Sequence, residues 1–207
     1  MTNLNTWGRA LFACALVFGL VACGGGDDTA APAAPAAAPA ASSGASGSGS
    51  ITGLVSVSGV DDPDKAIKMD ADPVCAGLHD HSIESETLVM DDNGNLANAF
   101  VYVKSGLTGS YSAPSETAMI TQEGCVYLPH VSGVQVGQAL KIINGDPTLH
   151  NGHATPTKNP EFNQAQPFQD MELERTFDTA EVMIPFKCDV HPWMSSYLAV
   201  LEHPFFA

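Results

Sequence analysis

From residue 51 onward the chain breaks into short runs rich in β-branched and aromatic residues, punctuated by Gly, Pro, Asn and Asp. The runs cover 51–58, 86–90, 99–104, 118–121, 125–128, 131–136, 139–144, 181–186 and 197–201. Ile51-Thr52-Gly53-Leu54-Val55-Ser56-Val57-Ser58 alternates apolar and small polar residues, and Asp92-Asn93-Gly94 is a turn signal between two runs. No segment carries a long amphipathic helical period. About eight strands in a stretch large enough for one buried core predict an all-β, antiparallel sandwich or barrel. Residues 145–175 form the longest irregular stretch, and long loops are often functional.

The first fifty residues cannot belong to that core. Residues 1–22 carry a single charge, Arg9, ahead of an apolar run over 10–22 that is short for a bilayer span and reads as a signal peptide. The run ends Leu20-Val21-Ala22-Cys23, which resembles the lipobox of bacterial lipoproteins. That resemblance implies cleavage before Cys23, lipidation of its sulfur and acylation of the new N-terminus, a combination that holds a protein stably on a membrane. Gly24 after Cys23 lacks the acidic residue that marks inner-membrane retention in some bacteria. The expected location is therefore the outer membrane, facing the periplasm. Residues 24–50 are almost entirely Gly, Ala, Pro and Ser, too poor in apolar bulk to fold, and are expected to act with Cys23 as a tether over 23–50. Fully extended, such a tether reaches roughly 90 Å. The folded part is expected over 51–207.

The net charge is −15, and loss of Arg9 with the signal would make the chain more acidic still. This argues against nucleic acid and against electrostatic docking to anionic lipid. It fits a basic partner surface or the solubility needs of an exported protein. Of the five cysteines, Cys14 would leave with the signal and Cys23 would take the lipid. Cys75 and Cys125 are free to pair, as exported thiols usually do. Cys188 then remains and needs a role. Pairing of Cys75 or Cys125 with Cys188 is the alternative.

Metal ligation supplies that role. Cys188-Asp189-Val190-His191-Pro192-Trp193-Met194 places a thiol, an imidazole and a thioether in one loop between the runs 181–186 and 197–201. A second imidazole is available upstream, His150, in Asn144-Gly145-Asp146-Pro147-Thr148-Leu149-His150-Asn151. One Cys, two His and a weak axial Met are the ligand types of a mononuclear blue-copper site, and a thioether favours copper over zinc. Pro192 stiffens the path between the two later ligands.

At this point the sequence resembles the cupredoxin family. The Cys-x2-His-x2-Met loop, with Pro after His, has the short spacing of amicyanin-like members, and Val134 to Asn144 followed by His150-Asn151 looks like the cupredoxin strand pair and first-ligand segment. The resemblance covers about 131–201. It implies a plastocyanin/amicyanin-like, cupredoxin-type Greek-key β-sandwich and one type 1 copper ion held by His150, Cys188, His191 and Met194. Residues 51–130 depart from the family pattern, exceeding what a minimal cupredoxin needs, and are expected to form an extended N-terminal layer of strands. It also implies that Asn151 hydrogen-bonds across to the Cys188 loop. Electron transfer between redox proteins, such as a cytochrome, an oxidase or a dehydrogenase, is the implied function. His191, exposed near an apolar rim that includes Trp193, would pass the electron.

Other readings attach to the remaining histidines. His153 could replace a ligand or shuttle a proton, but is expected to be an exposed loop residue. His79-Asp80-His81 could bind a second metal, though two close histidines on an exposed loop usually bind none. His130 and His203 are expected to be structural. A zinc site from His150, Cys188, His191 and His153, a metal-free relic, and a periplasmic copper-delivery protein are the alternatives. An enzyme is disfavoured: there is no Gly-x-Ser-x-Gly elbow, no His-Glu-x-x-His motif and few spare histidines for further coppers.

Overall fold

In the computed structural model, residues 49–60 and 66–207 are described. The signal peptide, Cys23 and nearly all of the expected tether lie outside them. Two mixed sheets face each other. Strands β1 (Ala118–Glu123), β2 (Val126–Leu128), β4 (Leu140–Asn144) and β7 (Glu172–Arg175) form one, in the order β2-β1-β4-β7. Strands β3 (Val131–Gln135), β5 (His150–Ala154), β6 (Phe162–Gln166), β8 (Glu181–Lys187) and β9 (Ser195–Leu201) form the other, in the order β3-β9-β8-β5-β6. This is the expected all-β sandwich. Its sheets are not purely antiparallel, because β1 runs parallel to β4 and β3 parallel to β9.

Alternation explains the layering. In β4, Leu140, Ile142 and Asn144 are buried while Lys141 and Ile143 are partly exposed. Ile120 and Gln122 of β1 follow the same two-residue period, as do Ser196 and Leu198 at the start of β9, whose last residues are buried on both faces. Tyr127, Leu173, Phe177, Ile184 and Phe186 complete the core between the sheets. Burial of such side chains contributes about 1.5–3 kcal/mol each.

Two expectations are corrected. The stretch 145–175 is not irregular: it contains β5, β6 and β7. Their sequences, His-Asn-Gly-His-Ala, Phe-Asn-Gln-Ala-Gln and Glu-Leu-Glu-Arg, lack the β-branched signal. Conversely, the runs 51–58, 86–90 and 99–104 build no ladders and meet others only in isolated bridges, Ser56 with Asn95, Met90 with Leu96 and Tyr102 with Phe206. Ile51 is 94 % exposed and Leu54 83 % exposed, so their apolar pattern finds no sheet to cover. Among the described residues, the region before β1 is a wrap whose one regular element is the short helix α1 (Pro73–Gly77). Asp72 caps α1, its carboxylate accepting from the N–H groups of Val74 and Cys75, and Pro73 occupies the first turn. A disulfide between Cys75 and Cys125 fastens the helix to the turn between β1 and β2.

Candidate metal centre

His150 opens β5, and Cys188 directly follows β8, its antiparallel neighbour. The pairing of Ala154 with Phe186 and His153 with Lys187 sets the register that carries both ligand-bearing ends to one edge of the sandwich. The loop from Cys188 to Met194 closes on itself, with Met194 N–H donating to His191 O and Cys188 N–H to Met194 O. Tyr127 reaches across from the opposite sheet, its hydroxyl 2.8 Å from Asn151 O and 3.1 Å from Lys187 O, and so ties β5 to β8 beside the ligands. Burial holds the Tyr127 phenol protonated well above its usual range.

The ligand atoms converge. His150 Nδ1 and His191 Nδ1 lie 3.0 Å apart, Cys188 Sγ is 3.8 Å from His191 Nδ1, and all three atoms fall within 4.8 Å of one another. His150 is fully buried, Cys188 and His191 are 2 % exposed, and Met194, in the same loop, is 1 % exposed. Cys188 is a free thiol. Two further groups bring acid, sulfur and imidazole together, Asp72 with Cys75 and His191, and Cys125 with Asp146 and His150, but their sulfurs are spent in the disulfide.

The outer edge of each imidazole meets a carboxylate. His150 Nε2 is 2.9 Å from Asp146 Oδ2, and His191 Nε2 is 2.9 Å from Asp72 Oδ2. A carboxylate accepts, so this network assigns a proton to each Nε2 and turns each Nδ1 inward. Carboxylate–histidine pairs of this kind orient imidazoles for a metal and make them more basic. Asp146 is held in turn by the N–H groups of Gly124 and Cys125, each at 2.8 Å. Burial pushes the Asp146 carboxyl up, but His150 and those two N–H groups outweigh it and keep the pKa below the usual range. Sequence reading did not identify either aspartate. Asp146, four residues before His150, was the more accessible of the two; nothing local marks Asp72.

Burial opposes an imidazolium at His150, yet Asp146 and Cys188 outweigh it and push the pKa up to about 9. Burial likewise opposes a thiolate at Cys188, but the hydrogen bond from His150 and the surrounding N–H groups of Asn151, His191 and Val190 lower its pKa.

Asp189 N–H donates to Asn151 Oδ1 at 2.7 Å, and Asn151 Nδ2 donates to Asn163 Oδ1. These bonds lace the His150 strand to the Cys188 loop and to β6. His153 is not an exposed loop residue: it sits on β5 at 8 % exposure, between Asp189 (2.8 Å) and Glu161 (2.9 Å), and is not one of the converging group of His150, Cys188 and His191. His191 is not the exposed electron outlet expected from the resemblance, because Asp72 and Cys75 of the wrap cover its outer edge, with Cys75 Sγ 3.6 Å from Nε2. Trp193 packs against His191 with ring centroids 5.1 Å apart and donates to Cys125 O. His79 anchors the wrap through Gly124 O at 2.7 Å, His81 pairs with the adjacent Asp80 on the surface, and neither joins a metal-binding group among the described residues. His130 is buried against Ser195 O, and His203 accepts from Phe205 N–H.

A sandwich with His150 opening one strand and a Cys-His-Met loop joining β8 to β9 is cupredoxin-like. The chain is similar to the purple cupredoxin from Nitrosopumilus maritimus, at 21 % identity over 40 % of this chain and 98 % of that one, with a TM-score of 0.35. It is similar to a Cu(I) form of an amicyanin variant, at 20 % identity over 43 % and 96 %, with a TM-score of 0.36. A Cu-containing nitrite reductase from Thermus scotoductus SA-01 overlaps at 18 % identity over 50 % of this chain and 26 % of that one, with a TM-score of 0.39. No protein-family model and no curated protein matches the chain. Overlaps this partial say nothing of function, which rests on the side chains described above.

Proposed function

We propose that this is a type 1 copper protein that passes single electrons between redox proteins, exported and tethered to a membrane through Cys23. One observation carries the reading: a buried thiol and two imidazoles present Sγ and two Nδ1 atoms within 4.8 Å, with both outer nitrogens already held by carboxylates. The donor set fits the ion. A soft thiolate with two imidazoles, and a buried thioether in the same loop as the thiolate, suits copper in both oxidation states and suits hard cations poorly. His150, Cys188 and His191 would hold it, with Met194 as the weak fourth ligand. Copper supplies a one-electron couple. The chain supplies a rigid and nearly dry frame, which limits rearrangement when the charge changes. Burial of all four residues also disfavours the copper-delivery alternative, where the ion must leave readily.

The test is the visible spectrum of the full chain loaded with Cu(II), beside Cys188→Ser. An intense thiolate-to-copper charge-transfer band, absent in the variant, supports the reading. A colourless wild-type protein that nonetheless binds copper would refute it.

A further inference from the structure

The carboxylate on His191 comes from outside the sandwich: among the described residues the wrap reaches the inner ligand set at His191, through Asp72 and the neighbouring Cys75 sulfur. We propose that Asp72 is a positioning residue of the metal centre: it fixes the proton of His191 on Nε2, aims Nδ1 at the metal, and lowers the reduction potential of the bound ion. The proposal rests on the copper reading above.

Asp72 is built for that contact. Oδ1 is engaged by the N–H groups of Val74 and Cys75, at 2.7 and 3.3 Å, which fixes the carboxylate plane. Oδ2 is left to face His191 Nε2 at 2.9 Å, with the Thr148 hydroxyl at 3.4 Å. Three residues on, Cys75 is covalently bound to Cys125, so α1 cannot drift from the loop. Cys125 and Gly124 have φ values of +54° and +63°, the paired left-handed geometry of a two-residue hairpin turn. That turn aims both its N–H groups at Asp146, the carboxylate on the other imidazole. One hairpin turn therefore governs both outer contacts, His150 through Asp146 and His191 through the disulfide, α1 and Asp72.

The effect on the ion follows from charge. A carboxylate accepting from the far nitrogen makes the imidazole a better donor, and its negative charge favours the more highly charged oxidation state, so the potential falls. The side chain of Asp72 is only 22 % exposed, which limits solvent screening.

Asp72→Asn separates this role from a structural one. Asparagine keeps an acceptor oxygen and is itself a good helix cap, so α1 and the hydrogen bond survive while the charge is lost. Asp70→Asn, on an exposed aspartate two residues away, controls for net charge. The midpoint potential of the copper-loaded full chain is expected to rise in Asp72→Asn and to stay near the wild-type value in Asp70→Asn, with the charge-transfer band retained in both. In the metal-free full chain, nitrogen NMR is expected to place the neutral His191 proton on Nε2. An unchanged potential in Asp72→Asn, equal shifts in both variants, or a His191 proton on Nδ1 would overturn the proposal. A wild-type protein lacking the charge-transfer band would instead fail the copper reading, and the tautomer measurement would still decide the position of the ring.

Discussion

The sandwich and the wrap that precedes it are held in different ways. The sandwich, residues 118–201, is knit by two hydrogen-bonded sheets and a shared core, and all four proposed ligands lie on or between its strands. The described residues of the wrap, 49–60 and 66–117, have one short helix, isolated bridges, a disulfide and a few side-chain anchors such as His79, yet they supply Asp72 to the centre. A segment that would not hold itself together can still set the chemistry of a site, provided it is fixed at the right point. Here that point is Cys75–Cys125.

The largest expected effect is removal of that fastening. Replacing both Cys75 and Cys125 by Ala should lower stability by about 4 kcal/mol on the loop-closure argument for a separation of 50 residues. Chemical denaturation checks the total. Hydrogen exchange should show the loss concentrated in 66–83, and uniform deprotection of both regions would dissolve the distinction between them.

Next is Glu181, inside the sandwich. Its buried carboxylate accepts from the N–H groups of Thr157, Lys158 and Asn159 and from the Thr157 hydroxyl and Asn159 amide. Burial raises its pKa, but these donors outweigh it and hold it down at about 2. A depressed carboxyl stabilises fully above its unfolded value and loses that contribution as pH falls through the folded one. Glu181→Gln should therefore destabilise by up to about 3 kcal/mol at pH 7. The difference from wild type should shrink as pH drops from about 4.5 towards 2. Denaturant midpoints across that range measure it, and a pH-independent difference would contradict the assignment.

Smaller still is Tyr127→Phe, which leaves the Asn151 and Lys187 carbonyls short of a donor and should cost about 1–2 kcal/mol. Because those carbonyls flank the ligand segments, the copper band should also shift or broaden, visible by absorption. The smallest is Leu54→Ser, in the wrap at 83 % exposure, expected within about 0.5 kcal/mol of wild type by thermal unfolding.

The sequence made the ligands legible and the frame around them only partly so. Cys188, His191 and Met194 share one short loop whose residue types announce soft-metal chemistry, and β4, β8 and β9 declare themselves by β-branched runs. β5 and β6 do not, because their polar residues are spent on the site and its lacing: His150 on Asp146 and His191, Asn151 and Asn163 on one another, Gln166 on Ile142 O and Met171 O. The run 51–58 misled for the opposite reason, since an alternating pattern makes a strand only where a partner edge is free. Asp72 was illegible because its meaning depends on a contact 119 residues away in sequence.

The central claim is one thiolate and two imidazoles on a single copper ion. X-ray absorption of the copper-loaded full chain at the copper edge tests it most directly. The account predicts a short sulfur contact from one thiolate with two imidazole nitrogens, the sulfur contact disappearing in Cys188→Ser. A first shell of nitrogen and oxygen alone, unchanged by that substitution, would contradict it.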